Sequence, residues 1–343
     1  MNFSRDYSQE ELAELEKKAT QFHEVLVEQK LNDESIENMT DNLCVTTNEE
    51  RQIIRSYYKK SYNHPIQKDI KDQLKEDYSL LGEIMIDMFD TPYEYDAREL
   101  RKAFQDNLVD EDIIIEIFSS RPKEHLNTVD LAYKKFYNVS LKEEIKNQLS
   151  PLFANYLLLL MDTDRAEEQT LSGDEAYALA DELISNGPKV YAEKIELYKK
   201  LFVEKSRIDL ILVSRAYYEK TEKCLIEIIV EDKINPTSLY NEKADMEINI
   251  NKNIKLIRTL LFTVITPAEY FSKNIIKSLK NYNTDIHTLI RILITRREID
   301  TDAINEYYTK ETNNDLKNDI ENEKTITSYP HVGKILLSLA SVE

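Results

Sequence analysis

The stretch SSRPKEHLNTVDLAY, residues 119–133, recurs in altered form four times along the chain: a short box ends in Arg or a polar substitute, and a tyrosine follows it 12 residues later in helical phase. The boxes are Val45-Thr46, Ser119-Ser120-Arg121, Val203-Glu204-Lys205 and Ile294-Thr295-Arg296, and the tyrosines are Tyr58, Tyr133, Tyr217 and Tyr308. The tyrosines stand 75, 84 and 91 residues apart, a period longer than that of the short solenoid repeats, with room for about five short helices in each unit. Working outward from Arg121, Pro122 opens a helix through Leu126, Val129, Tyr133 and Phe136. Upstream, Asp110-Glu111-Asp112 starts a helix that is apolar nearly all round through Ile113, Ile114, Ile115, Ile117 and Phe118, which predicts an interior position. Before it, Asp96 reads as an N-cap acid for a helix with a stripe of Ala97, Leu100, Ala103 and Phe104. Downstream, Ser140 caps a fourth helix and Ser150-Pro151 begins a fifth that ends near Met161.

The same plan sets the other units. Residues 14–89, 90–161, 174–250 and 251–343 are the expected repeats, 1–13 a tail, and 162–173 a polar linker. Asn235 to Asn253 reads as a surface loop or helix extension. Four glycines and eight prolines in 343 residues leave few turn residues for strands, so the fold class is all-α. Cys44 and Cys224 stand alone, without the spacing of a zinc site, and fit a reducing, cytoplasmic setting. The N-terminus has no apolar signal core and the C-terminus no prenylation cysteine, while the longest uncharged stretch, Asn147 to Met161, is too short to span a bilayer. A net charge of −19 repels nucleic acid and anionic headgroups alike, so a cation must bridge any contact with an acidic membrane. His23, His64, His125, His287 and His331 form no ligand spacing, no phosphate-binding loop is present, and the chain is not expected to be an enzyme. Asp162-Thr163-Asp164 reads as a solvated turn.

Residues 96–104, 110–117 and the run Leu289 to Asp300 together resemble the annexin family, and the likeness extends over nearly the whole chain. It is similar in particular to the giardin-type annexins of protists. The resemblance implies a curved disc of four five-helix repeats that docks on acidic phospholipid through Ca²⁺, peripheral to the membrane or associated with the cytoskeleton. It also implies where calcium would bind: a Gly-x-Gly-Thr loop between the first two helices, whose carbonyls act with an acid 39 residues beyond the Thr. Ca²⁺ prefers such hard oxygen ligands.

None of the four loops has those glycines. Repeat 1 has Leu31-Asn32-Asp33-Glu34 with Gln73 at the distant position, and repeat 2 has Asp106-Asn107-Leu108-Val109 with Gln148. A neutral amide holds calcium more weakly than a carboxylate. Repeat 3 keeps Asp232 but offers Val190-Tyr191-Ala192-Glu193, bulky residues where unusual backbone angles are needed. Repeat 4 has Asn281-Tyr282-Asn283-Thr284 with Glu323, and Asn tolerates the left-handed region best after glycine. The expected ligands are the carbonyls of Leu279, Asn281 and Asn283 with the Glu323 carboxylate. Secondary sites would use Asn138-Val139-Ser140 with Glu143 or Glu144, and Asn313-Asn314-Asp315 with Asp319, although acids in a first helical turn are favoured by the dipole alone. Asp96, Arg121, Arg291 and Asp300 match charged positions at the centre of the family's fold, and are expected to hold repeat against repeat as salt bridges. The function expected is calcium-dependent binding to acidic phospholipid through few, weak sites. The alternative is a calcium-independent scaffold of the same fold that binds cytoskeletal protein.

Overall fold

The computed structural model describes residues 5–28, 31–105, 108–187, 189–229, 242–280 and 284–341, and their regular structure is entirely helical. The chain forms two compact units, Met1–Tyr95 with Ala268–Glu343, and Asp96–Pro267. The first unit holds repeats 1 and 4 around Phe22, Ile54, Phe89, Phe271, Leu289 and Leu336. The second holds repeats 2 and 3 around Phe118, Phe153, Leu157, Phe202 and Leu256. Each unit therefore has a core of its own.

The five-helix plan is plainest in repeat 2: Pro92–Gln105, Glu111–Ser120, Lys123–Tyr137, Leu141–Gln148 and Pro151–Asp162. Repeat 1 has Gln9–His23, Asp33–Cys44, Asn48–Tyr62, Ile66–Gln73 and Ser79–Phe89, and repeat 4 has Pro267–Lys280, Ile286–Arg296, Thr301–Thr312, Leu316–Asn322 and Pro330–Leu339. Ser8 and Glu11 form a capping box, which starts the first helix at Gln9, ahead of residue 14. In repeat 2 the helix likewise begins earlier than Asp96. Thr91 and Glu94 bond each other's backbone N–H at 3.2 Å with Pro92 between them, a capping box that leaves Asp96 inside the helix and buried.

The recurrent tyrosines occupy equivalent positions. Tyr58, Tyr133, Tyr217 and Tyr308 each lie on a third helix and are 0, 0, 5 and 1 % exposed. Five residues after each, the helix ends on a left-handed residue: Asn63, Asn138, Glu222 and Asn313, with φ between 56 and 63°. Tyr58 donates to Asp69 and Tyr308 to Asp319, both at 2.5 Å and both 11 residues ahead. Each acid sits in the first turn of the fourth helix, where the helix dipole also favours it.

Repeat 3 departs from the pattern. Its first helix, Gly173–Asn186, stops at Gly187 with φ +73°, a conformation that suits glycine. The second helix already begins at Lys189 and continues in pieces, Lys189–Glu193, Ile195–Tyr198 and a π-helical turn Lys199–Val203. The fourth is only Leu225–Ile228, and the fifth, Glu242–Ile265, runs across residue 250 and absorbs much of the polar stretch expected as loop or helix extension. Residues 235–241 of that stretch lie outside the described residues. The linker is tied down rather than loose: Asp209 accepts from the N–H groups of Thr170 and Leu171 at 2.9 Å, and the Arg165 guanidinium donates to the carbonyls of Lys205 and Phe202 at 2.6 Å.

Glu222 carries a Cβ in a left-handed turn that Asn occupies in the other three repeats. The left-handed conformation costs an ordinary residue about 1–2 kcal/mol, less for Asn. Glu222→Asn is therefore expected to stabilise by about 0.5–1 kcal/mol in urea titration, and Asn138→Ala to destabilise by a similar amount. Equal midpoints for both variants and the parent protein would contradict this account of the turn.

Candidate calcium and membrane site

In repeat 4 the chain segments on either side of the 281–283 loop are pinned. Asp285 N–H donates to the Ser278 carbonyl at 3.0 Å, and the Asp285 side chain caps the second helix by accepting from Thr288 N–H at 3.1 Å. Asn281 and Asn283 lie outside the described residues, and Leu279 is half-buried one residue before the helix ends at Lys280. The last carbonyls of any helix lack intrahelical partners and are free in principle to face a cation.

Glu323 lies between the fourth helix and a short helix, Lys324–Thr327, which it caps by accepting from Thr325 N–H at 2.5 Å and Ile326 N–H at 3.0 Å. Burial alone would raise its pKa. The nearby Thr284 hydroxyl and the two backbone N–H groups outweigh this and hold the carboxyl below its ordinary value. Thr284 Oγ1 is buried without a hydrogen bond of ordinary geometry, so its influence is that of a close dipole rather than a formed bond. Thr284 and the distant acid thus come close in repeat 4. An ionised carboxylate beside an unsatisfied hydroxyl offers oxygen donors of the type a hard cation such as Ca²⁺ prefers.

The other three loops are built differently. In repeat 1, Asn32 is consumed in a capping box with Ser35, and Gln73 is exposed at the end of the fourth helix. In repeat 2, Asp110 caps the second helix and Gln148 donates to Glu144 at 3.3 Å, while Asp106 and Asn107 lie outside the described residues. In repeat 3, Val190, Tyr191 and Ala192 are helical, not a loop, and Tyr191 O accepts from the Tyr156 hydroxyl at 3.0 Å. The Ser185-Asn186-Gly187 stop is the signal that places the break earlier. Asp232 lies outside the described residues.

The secondary positions are also committed to local structure. Glu143 closes a capping box with Ser140, Glu144 pairs with Arg101 at 3.4 Å, and Asp319 accepts from Tyr308 and Asn314. Asp162 and Asp164 pair with Lys142 and Lys123 at 2.5 and 2.7 Å, each on a different lysine, as a solvated turn would. Among the described residues no three His, Cys, Asp or Glu side chains are grouped to hold a metal, and no helix is long and apolar enough to cross a membrane.

Known proteins carry the same design. The annexin family profile matches residues 95–160 and 270–325, the segments of repeats 2 and 4. Human annexin A13 is 27 % identical over 258 residues, 75 % of this chain and 76 % of its own length. A solved mutant of annexin A8 with an intact N-terminus superposes with a TM-score of 0.79 at 21 % identity, covering 100 % of this chain and 97 % of its own. Calcium-bound alpha-14 giardin superposes with a TM-score of 0.68 at 11 % identity, covering 95 % of this chain and 99 % of its own. The chain has the annexin fold and is similar to that family in sequence. Annexins in general are calcium- and phospholipid-binding proteins rather than enzymes.

Of the charges expected to hold repeat against repeat, Asp96 with Arg121 and Asp300 with Arg296 pair within their own repeats. Arg121 grips Asp96 with two N–H groups at 2.8 and 3.1 Å, and the His125 Nε2 meets the same carboxylate at 2.7 Å. All three belong to repeat 2, because Asp96 lies a turn inside its helix and faces the loop between the second and third helices. Arg296, four residues from Asp300, binds it in the same two-pronged way at 2.8 and 2.6 Å, within repeat 4. Arg291 is 5 % exposed. Among the described residues, the pairs that join different repeats include two that the sequence did not single out: Arg55 with Glu94 at 2.5 Å, and buried Arg51 with Glu298 at 3.8 Å.

Asp96 gives a pH signature. Burial would raise its carboxyl, but Arg121 and His125 overcome this and hold it near 2, against 3.8 for a free aspartate. A folded pKa below the unfolded one means that the stabilisation is present above about pH 4 and is lost as pH falls toward 2, a loss of about 2 kcal/mol. Urea titrations between pH 5 and 2 should show this slope, and Asp96→Asn should remove it. Arg121→Ala, which strands a buried carboxylate, should cost roughly 3–5 kcal/mol at neutral pH; an unchanged unfolding midpoint would mean that the pair contributes nothing.

Proposed function

We propose that the chain docks on acidic phospholipid surfaces with calcium, from the cytoplasmic side, through one weak site in repeat 4. The observation that carries this reading is the convergence of Thr284 with a carboxylate whose pKa is depressed, Glu323. The Glu323 carboxylate and the carbonyls of Leu279, Asn281 and Asn283 would hold the ion. Bound calcium would supply the positive charge that a chain of net charge −19 needs to approach anionic headgroups. The amides of Gln73 and Gln148, and the helical start of repeat 3, support a single principal site.

The test is co-sedimentation with phosphatidylserine-containing liposomes across a calcium titration. Glu323→Gln should abolish most of the calcium-dependent binding, and it keeps an oxygen to cap Lys324–Thr327, so the fold is preserved. Gln73→Ala and Gln148→Ala should change little. No binding by the parent protein even at millimolar calcium, the range of the weakest calcium modules, would reject the membrane reading.

A second reading, a calcium-independent scaffold for cytoskeletal protein, draws on one surface. Ile208, Ile211 and Tyr218 form an exposed stripe along the third helix of repeat 3, and Tyr177 and Ile184 are exposed on the first helix packed against it. Contiguous exposed apolar residues of this kind serve protein contacts. Co-sedimentation with filaments in chelator separates this reading from the first.

A further inference from the structure

Two tyrosines stand where helix capping does not want them. Tyr78 is the N-cap of Ser79–Phe89 in repeat 1, Tyr329 is the N-cap of Pro330–Leu339 in repeat 4, and neither makes a side-chain cap bond. Ser, Thr, Asp and Asn are the residues that stabilise this position, and Ser150 caps the corresponding helix of repeat 2. The two are equivalent: each precedes by four residues a glycine, Gly82 or Gly333, at which the fifth helix comes close to an earlier residue. A Cβ there would lie 3.0 Å from Leu74 Cβ or 3.3 Å from Ile326 Cγ2. Just ahead of Tyr78, Glu76 is held at φ +52°, a strained position for a glutamate.

Both tyrosines line one cavity of about 410 Å³ within the first unit. The His331 ring lies 6.4 Å from that of Tyr78 at 47°, and Leu81, Pro330 and Val332 add apolar surface. Two carboxylates, Asp33 and Asp77, complete the lining, which among the described residues contains no lysine or arginine. Asp33 accepts from the Tyr78 hydroxyl at 2.9 Å, fixing that ring, and Tyr329 is 41 % exposed at the mouth.

Aromatic faces with nearby carboxylates attract a cation, and a methylated ammonium is the cation that such faces recognise. Its methyl groups are weakly hydrated and suit the apolar wall, whereas a primary ammonium would lose hydrogen bonds to water that the rings cannot replace. We propose that this cavity receives a quaternary ammonium, specifically the choline headgroup of a phospholipid. Asp33 belongs to the repeat 1 loop in which calcium ligands are missing, and Ser328 to His331 follow closely on Glu323 in the chain. The pocket thus gives a negatively charged protein a contact with zwitterionic lipid that needs no calcium.

The experiment uses the full chain in EDTA, so calcium binding at Glu323 cannot contribute. Tetramethylammonium and phosphocholine are titrated by saturation-transfer NMR on their N-methyl protons, with 3,3-dimethylbutanol as the uncharged analogue of choline. Phosphatidylcholine liposomes test the lipid source. Expected are transfer to both quaternary ammonium compounds and not to the alcohol, and sedimentation with the liposomes. Tyr329→Ala and Asp77→Asn, both at exposed positions, should each weaken phosphocholine by roughly three- to fivefold with an unchanged circular dichroism spectrum. Equal binding of the alcohol, no transfer at all, or unaltered affinity in both variants would overturn the cation site. Phosphocholine binding without liposome binding would overturn the lipid assignment, as would tenfold tighter binding of a trimethyl-lysine peptide.

Discussion

The hydrogen bond between a third-helix tyrosine and an acid 11 residues later is the constraint around which repeats 1 and 4 are arranged. A buried phenol must find a partner, and a first-turn carboxylate on the next helix is an acceptor whose charge the helix dipole offsets. Reaching it requires the chain to reverse between the two helices, which fixes a left-handed residue five positions after the tyrosine. In repeat 2 the partner is shared: Arg101 donates to the Tyr133 hydroxyl at 3.4 Å and also pairs with Glu144. Repeat 3 has Ile228 where the acid would be. There the αL position holds Glu222, the fourth helix shrinks to four residues, and Tyr217 is the most exposed of the four tyrosines.

The repeat and its helices were legible because burial writes itself into sequence at fixed intervals. The tyrosines, the isoleucine run of 113–117 and the caps at Ser140 and Ser150 all stand where the pattern puts them. Asp96 was misread because an acid just before an apolar stripe looks like a cap. The true box, Thr91 with Glu94 around Pro92, was equally visible but lies ahead of the stripe. Ion-pair partners were not legible. Arg121 finds Asp96 and Arg55 finds Glu94 through the folded path of the chain, 25 and 39 residues apart, and no spacing rule encodes either. The candidate calcium acid was found through family resemblance alone, since nothing local to Glu323 distinguishes it from the other acids on this surface.

Much of the acidity among the described residues is committed to the fold. Asp110 and Asp285 serve as helix caps, Glu50 and Glu143 close capping boxes, and Asp69 and Asp319 accept from buried tyrosines. A carboxylate engaged this way stabilises the fold, and its oxygens are no longer free to gather around an ion. High negative charge and sparse calcium binding are thus compatible, because binding depends on convergent oxygens rather than on their number.

Glu323 shows where the balance lies. The N–H groups of Thr325 and Ile326 hold its carboxylate in place and keep it ionised, which lowers the entropy lost on binding. The same hydrogen bonds withdraw electron density from the oxygens. A group made a poorer base toward a proton is also made a poorer ligand toward a cation, since both interactions draw on the same lone pairs. With Asn in place of the glycines that turn loop carbonyls inward most readily, the remaining ligands must be organised at some conformational cost. Preorganised but electronically weakened, such a site would respond to calcium only at high concentration, and membrane contact would strengthen it by adding lipid oxygens that the chain itself does not provide.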